Sequence, residues 1–206
     1  MKEDILEQLV DDYLQAKGYF TRHNVKFKPT KEAIGYVSKK DSVASDVDVV
    51  GFNPLCEGPD QVWVVSCKSW QAGFNPNRFI TDIEKGIEQE KEMEQGKKFS
   101  GRPAWKYVRE LVKKKWADAF IARIEKLTGT RSFTYVIAVT RLIGDKTEWG
   151  KYELFKQNLG GNPIKFLTVD EILDYLHEHT TKTIASSEVG RLLQVIKASG
   201  WMNKKD

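Results

Sequence analysis

The sequence predicts an α/β fold, a mixed β-sheet flanked by helices and carrying a basic helical insert. Three observations carry this expectation. Apolar residues recur at helical spacing in some stretches and with a period of two in others. The 206 residues, 40% hydrophobic and 30% charged, have an ordinary globular composition at a length suited to one domain. Residues 97–131 hold eleven basic side chains against three acidic ones, a local +8 that leaves −4 for the rest of a chain whose total is +4. A basic segment on a near-neutral chain points to a polyanionic partner.

The elements follow in order. Ile5, Leu6, Leu9, Val10, Tyr13 and Leu14 predict a helix over 3–17, with Gly18 at its C-terminal end. A short strand is expected near Val25–Lys28. Ser45–Gly51 alternates, with Asp46, Asp48 and Val50 on one side. Gln61–Trp70 is the clearest strand, β-branched and aromatic between turn residues. Its alternation sets Val62, Val64, Ser66 and Lys68 against Trp63, Val65 and Cys67. Asn75-Pro76 reads as the cap and first residue of a helix running to about Glu94. One or two basic helices fill Trp105–Leu127 and end at Gly129. Phe133–Thr140 and Ile164–Thr168 read as strands and Glu148–Leu159 as a helix. Thr168 or Asp170 caps the helix carrying Ile172, Leu173 and Leu176. Ser186 or Ser187 caps a last one, Glu188–Ala198, with Val189, Leu192, Leu193 and Ile196 inward. Residues 1–206 are expected to form one domain, with 97–131 as the insert.

Several function classes fall away. No apolar run approaches the roughly 18 residues of a spanning helix, which predicts no membrane association. Met1-Lys2-Glu3-Asp4 leads straight into an amphipathic pattern, unlike a signal peptide. Two cysteines, Cys56 and Cys67, are too few for a disulfide framework or a four-ligand zinc site, so a reducing, cytoplasmic setting is expected. Spacing suggests no Ser/His/Asp or Cys/His arrangement, and no phosphate-loop or dinucleotide fingerprint is present.

The residues that point to chemistry are Asp48 and Lys68. If their strands pair, both side chains project from one sheet face, with Asp46 and Ser66 two residues away. One reading is a partly exposed ion pair worth about 0–1 kcal/mol. The other is phosphodiester hydrolysis. A hard divalent cation held by carboxylate oxygen polarises the phosphate and acidifies a bound water. A nearby ammonium then stabilises the developing negative charge.

The second reading acquires a specific form from the arrangement of motifs. A helix bearing Glu7, then Gly18-Tyr19, then Ser45-Asp46-Val47-Asp48-Val49-Val50, then Val64-Val65-Ser66-Cys67-Lys68-Ser69-Trp70, resembles the PD-(D/E)xK nuclease superfamily of restriction endonucleases, Holliday-junction resolvases and Mrr-like enzymes. The likeness covers roughly residues 3–95, with a compatible strand-helix continuation at 133–177. It implies a restriction-endonuclease-like core and a metal-dependent endonuclease acting on DNA with Mg²⁺ or Mn²⁺. By that resemblance Asp48 is the metal-binding aspartate, Lys68 the motif lysine and Glu7 the acid of the first helix. Asp46 is an auxiliary ligand or a solvated neighbour. A homodimer is what the class implies for cutting two strands.

The chain departs from the pattern at Ser66, where the superfamily usually carries an acid. A hydroxyl is a poor substitute for a carboxylate on a hard cation. Either the acid has moved to the following helix, where Asp82 and Glu84 stand at the right distance and Glu88 one turn beyond, or the fold serves nucleic-acid binding without catalysis. The plain alternative for these acids is a solvated helix face. For DNA contact the expected side chains are Arg78 in the loop before that helix and Lys106, Arg109, Lys113 and Lys114 in the basic segment. Lys113-Lys114-Lys115 wraps around a helix, so at most two of the three can face one ligand. Trp105, Trp116 and Phe120 are spaced for core packing, the alternative being base stacking.

Overall fold

The structure is a computed structural model of the chain that describes residues 4–179 and 187–199. Helix α1 (Ile5–Ala16) opens it, capped by the Asp4 carboxylate on the Leu6 N–H. Five strands follow at intervals: β1 (Phe20–Phe27), β2 (Ser45–Phe52), β3 (Val62–Lys68), β4 (Thr134–Val139) and β5 (Ile164–Thr168). They form one mixed sheet in sequence order. β1, β2 and β3 are an antiparallel meander, and β3, β4 and β5 run parallel. A parallel neighbour requires a long crossover. Between β3 and β4 that crossover comprises α3 (Pro76–Glu94), a 3₁₀ turn at Ala104–Tyr107, α4 (Arg109–Val112) and α5 (Lys114–Thr128). The α/β class and the helix-flanked mixed sheet are therefore as the sequence predicts.

The sheet buries both faces. The larger core contains Val50, Val62, Val64, Tyr135, Ile137 and Val139 with Trp105, Trp116 and Phe120 of the insert. The smaller holds Val49, Val65, Val136 and Ala138 against α1 and α8 (Val169–His179). Along β3 the expected alternation holds: Val62 and Val64 join the first cluster, while Val65, with Trp63 and Cys67 packed beside it, joins the second. Along β2 it does not. Val47 and Val50 both enter the larger cluster and Val49 the smaller. The irregularity sits at Asp48, whose position opposite Asn24 is bracketed by the pairs His23–Val49 and Val25–Val47, and Asn24 has φ +52°. A left-handed residue in an edge strand twists the pairing locally.

Capping matches expectation in three places. Asn75 accepts from Arg78 N–H with Pro76 at the first helical position of α3. Thr168 and Glu171 form a reciprocal capping box on α8. Ser187 accepts from Gly190 N–H at α9 (Glu188–Ala198). Ser186 lies outside the described residues.

Other boundaries differ. β1 begins five residues earlier than expected, because an edge strand with an exposed face needs no apolar alternation there. The 148–159 helix is two, α6 (Thr147–Lys151) and α7 (Glu153–Asn158), parted at Tyr152 with ψ 112°. On α9, Val189 and Leu193 pack inward as expected, but Leu192 is largely exposed. The basic segment breaks at Val108 and again at Lys113, whose backbone is extended. Among the described residues no helix is long and apolar enough to cross a membrane.

One buried acid fastens the insert to the meander. Asp41, at the end of the short helix α2 (Ser38–Asp41), is 3% exposed. It accepts from Val37 N–H, Lys115 Nζ (2.7 Å) and Trp116 Nε1 (3.1 Å). Burial pushes its carboxyl up, but the Lys115 bond, the Val37 amide, the Lys115 charge and the indole together hold it below the ordinary value. Asp41→Ala leaves the indole without its acceptor and Lys115 with only the Gly35 carbonyl, and is expected to cost about 3 kcal/mol in urea unfolding at pH 7. A lowered carboxyl contributes stability above its unfolded value, lost as pH falls through the folded one. The deficit of the variant should therefore shrink below about pH 4. An equal deficit at pH 3 and pH 7 would speak against the ion pair as its source.

Candidate active site

The pairing of β2 with β3 ends at Val49–Val65. Beyond it the Asp48 carboxylate accepts the Cys67 N–H at 2.5 Å, so a side chain takes a strand amide and the strand ends part around it. The group with most at stake there is Asp48. Burial raises its carboxyl; the Lys68 ammonium and the Cys67 amide oppose that, the Asp46 charge adds to it, and the Ser66 hydroxyl favours the ionised form. Lys68 Nζ donates to Ser66 Oγ at 2.7 Å. Asp48, Ser66 and Lys68 are thus brought together, as the alternation on β3 predicts.

A carboxylate that the sequence did not single out joins them. Glu110 lies on α4 and is 6% exposed. It accepts from the Tyr135 hydroxyl on β4, and the phenol also feels Ser66 and Asp48. Burial raises Glu110 against the Tyr135 bond, its own backbone amide and the Lys68 charge, while Asp48 adds to the rise. Burial likewise holds the Tyr135 phenol well above its usual value, with Glu110 adding to it. Two bonded pairs, Glu110 with Tyr135 and Lys68 with Ser66, therefore share one electrostatic neighbourhood with Asp48. A lone Glu in a basic segment looks like a solvated neighbour of Arg109. The available signal was its company: Val108, Leu111 and Val112 are apolar, and Glu110 is the one acid among them.

The other expected residues fall in three places. Glu7 is half-buried on α1, and its charge reaches the Cys67 thiol, raised chiefly by burial and then by Asp48 and Glu7. The Asp4 carboxylate accepts from Ser69 Oγ at 2.7 Å, which ties the start of α1 to the end of β3. Asp82 lies 4.0 Å from Arg78 Nε, and Glu84 accepts from the Tyr152 hydroxyl, so α3 directs both acids to partners other than Ser66. Ile83, between them, points into the core and is fully buried. Among the described residues no group of three or more His, Cys, Asp or Glu side chains is gathered at metal-binding range.

The basic side chains also divide. Lys106, Arg109 and Lys113 line a cleft of about 730 Å³ together with Lys115. Lys114 pairs with Asp118 on the exposed side of α5. Two of the three consecutive lysines share one cleft, with Lys113 in extended backbone ahead of α5. Arg78 lines a separate cleft of about 630 Å³ with Asp82, Lys85 and Arg102. Trp105, Trp116 and Phe120 are buried, as core spacing predicts, while Tyr107 is exposed beneath the Arg102 guanidinium.

Comparison of the chain with protein-family models, with curated proteins and with solved structures gives no match.

Asp48 and Glu110 bind protons more tightly folded than unfolded. The stability this contributes is complete below their unfolded values, about pH 4, and is lost as pH rises through the raised folded ones. Asp48→Asn and Glu110→Gln abolish that loss. Both are expected to exceed the wild type in urea-unfolding stability at pH 7 and to lose that advantage near pH 4. Variants less stable than wild type throughout this range would contradict the buried-carboxyl account.

Proposed function

We propose that this chain is a metal-dependent endonuclease of the PD-(D/E)xK type, with a restriction-endonuclease-like core, that hydrolyses DNA phosphodiester bonds at the parted ends of β2 and β3. The observation that carries the reading is the assembly of a half-buried Asp48, Lys68 and a buried carboxylate, Glu110, around the neutral Ser66. The order of helix, Asp48 strand, Lys68 strand, helix and parallel strand supports it.

Mg²⁺ commonly uses one or two protein carboxylates and completes its shell with water and phosphate oxygens. Asp48 and Glu110 suit such a set: both are oxygen donors whose buried negative charge a cation would relieve. Glu110 then supplies the charge that the Ser66 hydroxyl does not, in place of Asp82 or Glu84. When bound, Mg²⁺ or Mn²⁺ polarises the phosphate and acidifies a water. Lys68 carries the positive charge that meets the negative charge developing on the phosphate, and Ser66 Oγ holds its Nζ in position. The Tyr135 hydroxyl fixes the Glu110 carboxylate. Glu7 belongs to the surrounding field through the Cys67 side of the sheet. Cutting both strands requires two such sites, which a homodimer would provide.

A second reading, nucleic-acid binding without catalysis, is favoured by Ser66 alone, since its hydroxyl already serves Lys68 and offers a metal little. The two separate experimentally. Supercoiled plasmid and branched DNA incubated with Mg²⁺ or Mn²⁺ should be nicked or cut by the wild type. Asp48→Ala, Lys68→Ala and Glu110→Gln should each lower the rate about 100-fold or more. Variants that cut as well as the wild type sink the assignment. Absent Mn²⁺ heat in titration calorimetry, with DNA binding intact, selects the second reading.

A further inference from the structure

Lys39, Lys40, Lys106, Arg109, Lys113 and Lys115 line the 730 Å³ cleft between α2, α3 and the start of the insert, against two carboxylates, Asp41 and Glu90. The net charge there equals that of the whole chain. Both carboxylates are already engaged. Glu90 meets Lys113 at 2.5 Å and Lys40 at 3.4 Å, and Asp41 meets Lys115 at 2.7 Å. Among the described residues Lys39, Lys106 and Arg109 form no ion pair. The Arg109 Nε is buried and has no hydrogen-bond partner among the described residues. Cations that outnumber the carboxylates of one cleft favour an anionic ligand.

The aromatic side chains narrow the choice of ligand. Lys113 Nζ stands 4.7 Å and Lys106 Nζ 5.7 Å from the Trp105 ring centroid. Arg109 lies 4.8 Å from that of Trp116. The protein's own cations occupy these rings, and both indoles are buried. The cleft therefore offers fixed charge without a stacking platform for bases. Its position is equally informative. On α4, Arg109 lines the cleft while Glu110, the next residue, enters the Asp48–Lys68 network.

We propose that this cleft grips the sugar-phosphate backbone of the nucleic acid through Lys39, Lys106 and Arg109 without reading bases, holding the strand beside the Asp48–Lys68 site. The proposal rests on the nucleic-acid reading of that site. Fluorescence anisotropy in EDTA, which blocks metal-dependent cutting, measures affinity for two labelled DNA duplexes of unrelated sequence across a salt series. Lys39→Ala, Lys106→Ala and Arg109→Gln should each lower the slope of log affinity against log salt by about one, equally for both duplexes. Lys114→Ala, on the far side of α5, should leave it unchanged, and Arg109→Lys should retain it. Unfolding curves matching the wild type certify that the variants fold.

A triple variant with the wild-type slope, or losses that differ between duplexes, overturns the cleft while leaving the chemistry at Asp48 intact. Slopes that fall in a protein that cuts nothing with Mg²⁺ or Mn²⁺ uphold the cleft and reject the hydrolytic reading. Wild type that binds neither duplex at low salt overturns both and turns attention to an acidic protein surface.

Discussion

Where β2 and β3 part, the Asp48 carboxylate takes the Cys67 amide, and most of the site follows from that one bond. A strand end that diverges leaves amides without a ladder partner, and a buried amide must find another acceptor. Here the acceptor is a charged side chain, which is thereby held in place. The same divergence gives Lys68 and Ser66 room beyond the ladder. The left-handed Asn24 on β1 lies opposite this irregularity, so three strands adjust around one carboxylate.

The site concentrates charge that the fold would be more stable without. Asp48 and Glu110 are both raised by burial, and burial with the neighbouring Glu110 raises the Tyr135 phenol. Networks of this kind are worthwhile structurally only when every member is satisfied. Each member here has its partner: the Cys67 amide for Asp48, the phenol for Glu110 and the Ser66 hydroxyl for Lys68. Ser66 brings no charge to this network, and Glu110 brings its carboxylate to it from a different part of the chain.

The insert does two things with one short stretch of sequence. Its aromatic and aliphatic side chains complete the larger core, and its cations gather at the cleft mouth or on α5. The break at Lys113 makes this division possible. An uninterrupted helix would wrap Lys113, Lys114 and Lys115 around its axis at about 100° per residue. With Lys113 extended, Lys113 and Lys115 reach Glu90 and Asp41 across the cleft, and Lys114 turns away to Asp118. Those two bridging pairs, with the Trp116 indole on Asp41, also anchor the insert to α2 and α3.

Local pattern was enough for the elements and for part of the site. The alternation of Val62–Lys68 placed Ser66 and Lys68 on one face, and Asn75-Pro76, Thr168 and Gly129 marked helix ends, because these depend on neighbours a few residues away. The twist at Asp48 was not legible, since it depends on Asn24 in another strand. Nor was Glu110: its role requires the crossover to fold back over the sheet and bury that side chain against Tyr135. Asp82 and Glu84 stood at a plausible distance along the chain, yet the packing of Ile83 directs them to Arg78 and Tyr152. Composition and periodicity determined the α/β class, the helix ends and the pairing of Ser66 with Lys68. Tertiary structure alone decided which acid keeps them company and which lysines share a cleft, because burial and charge act through space between segments far apart in sequence.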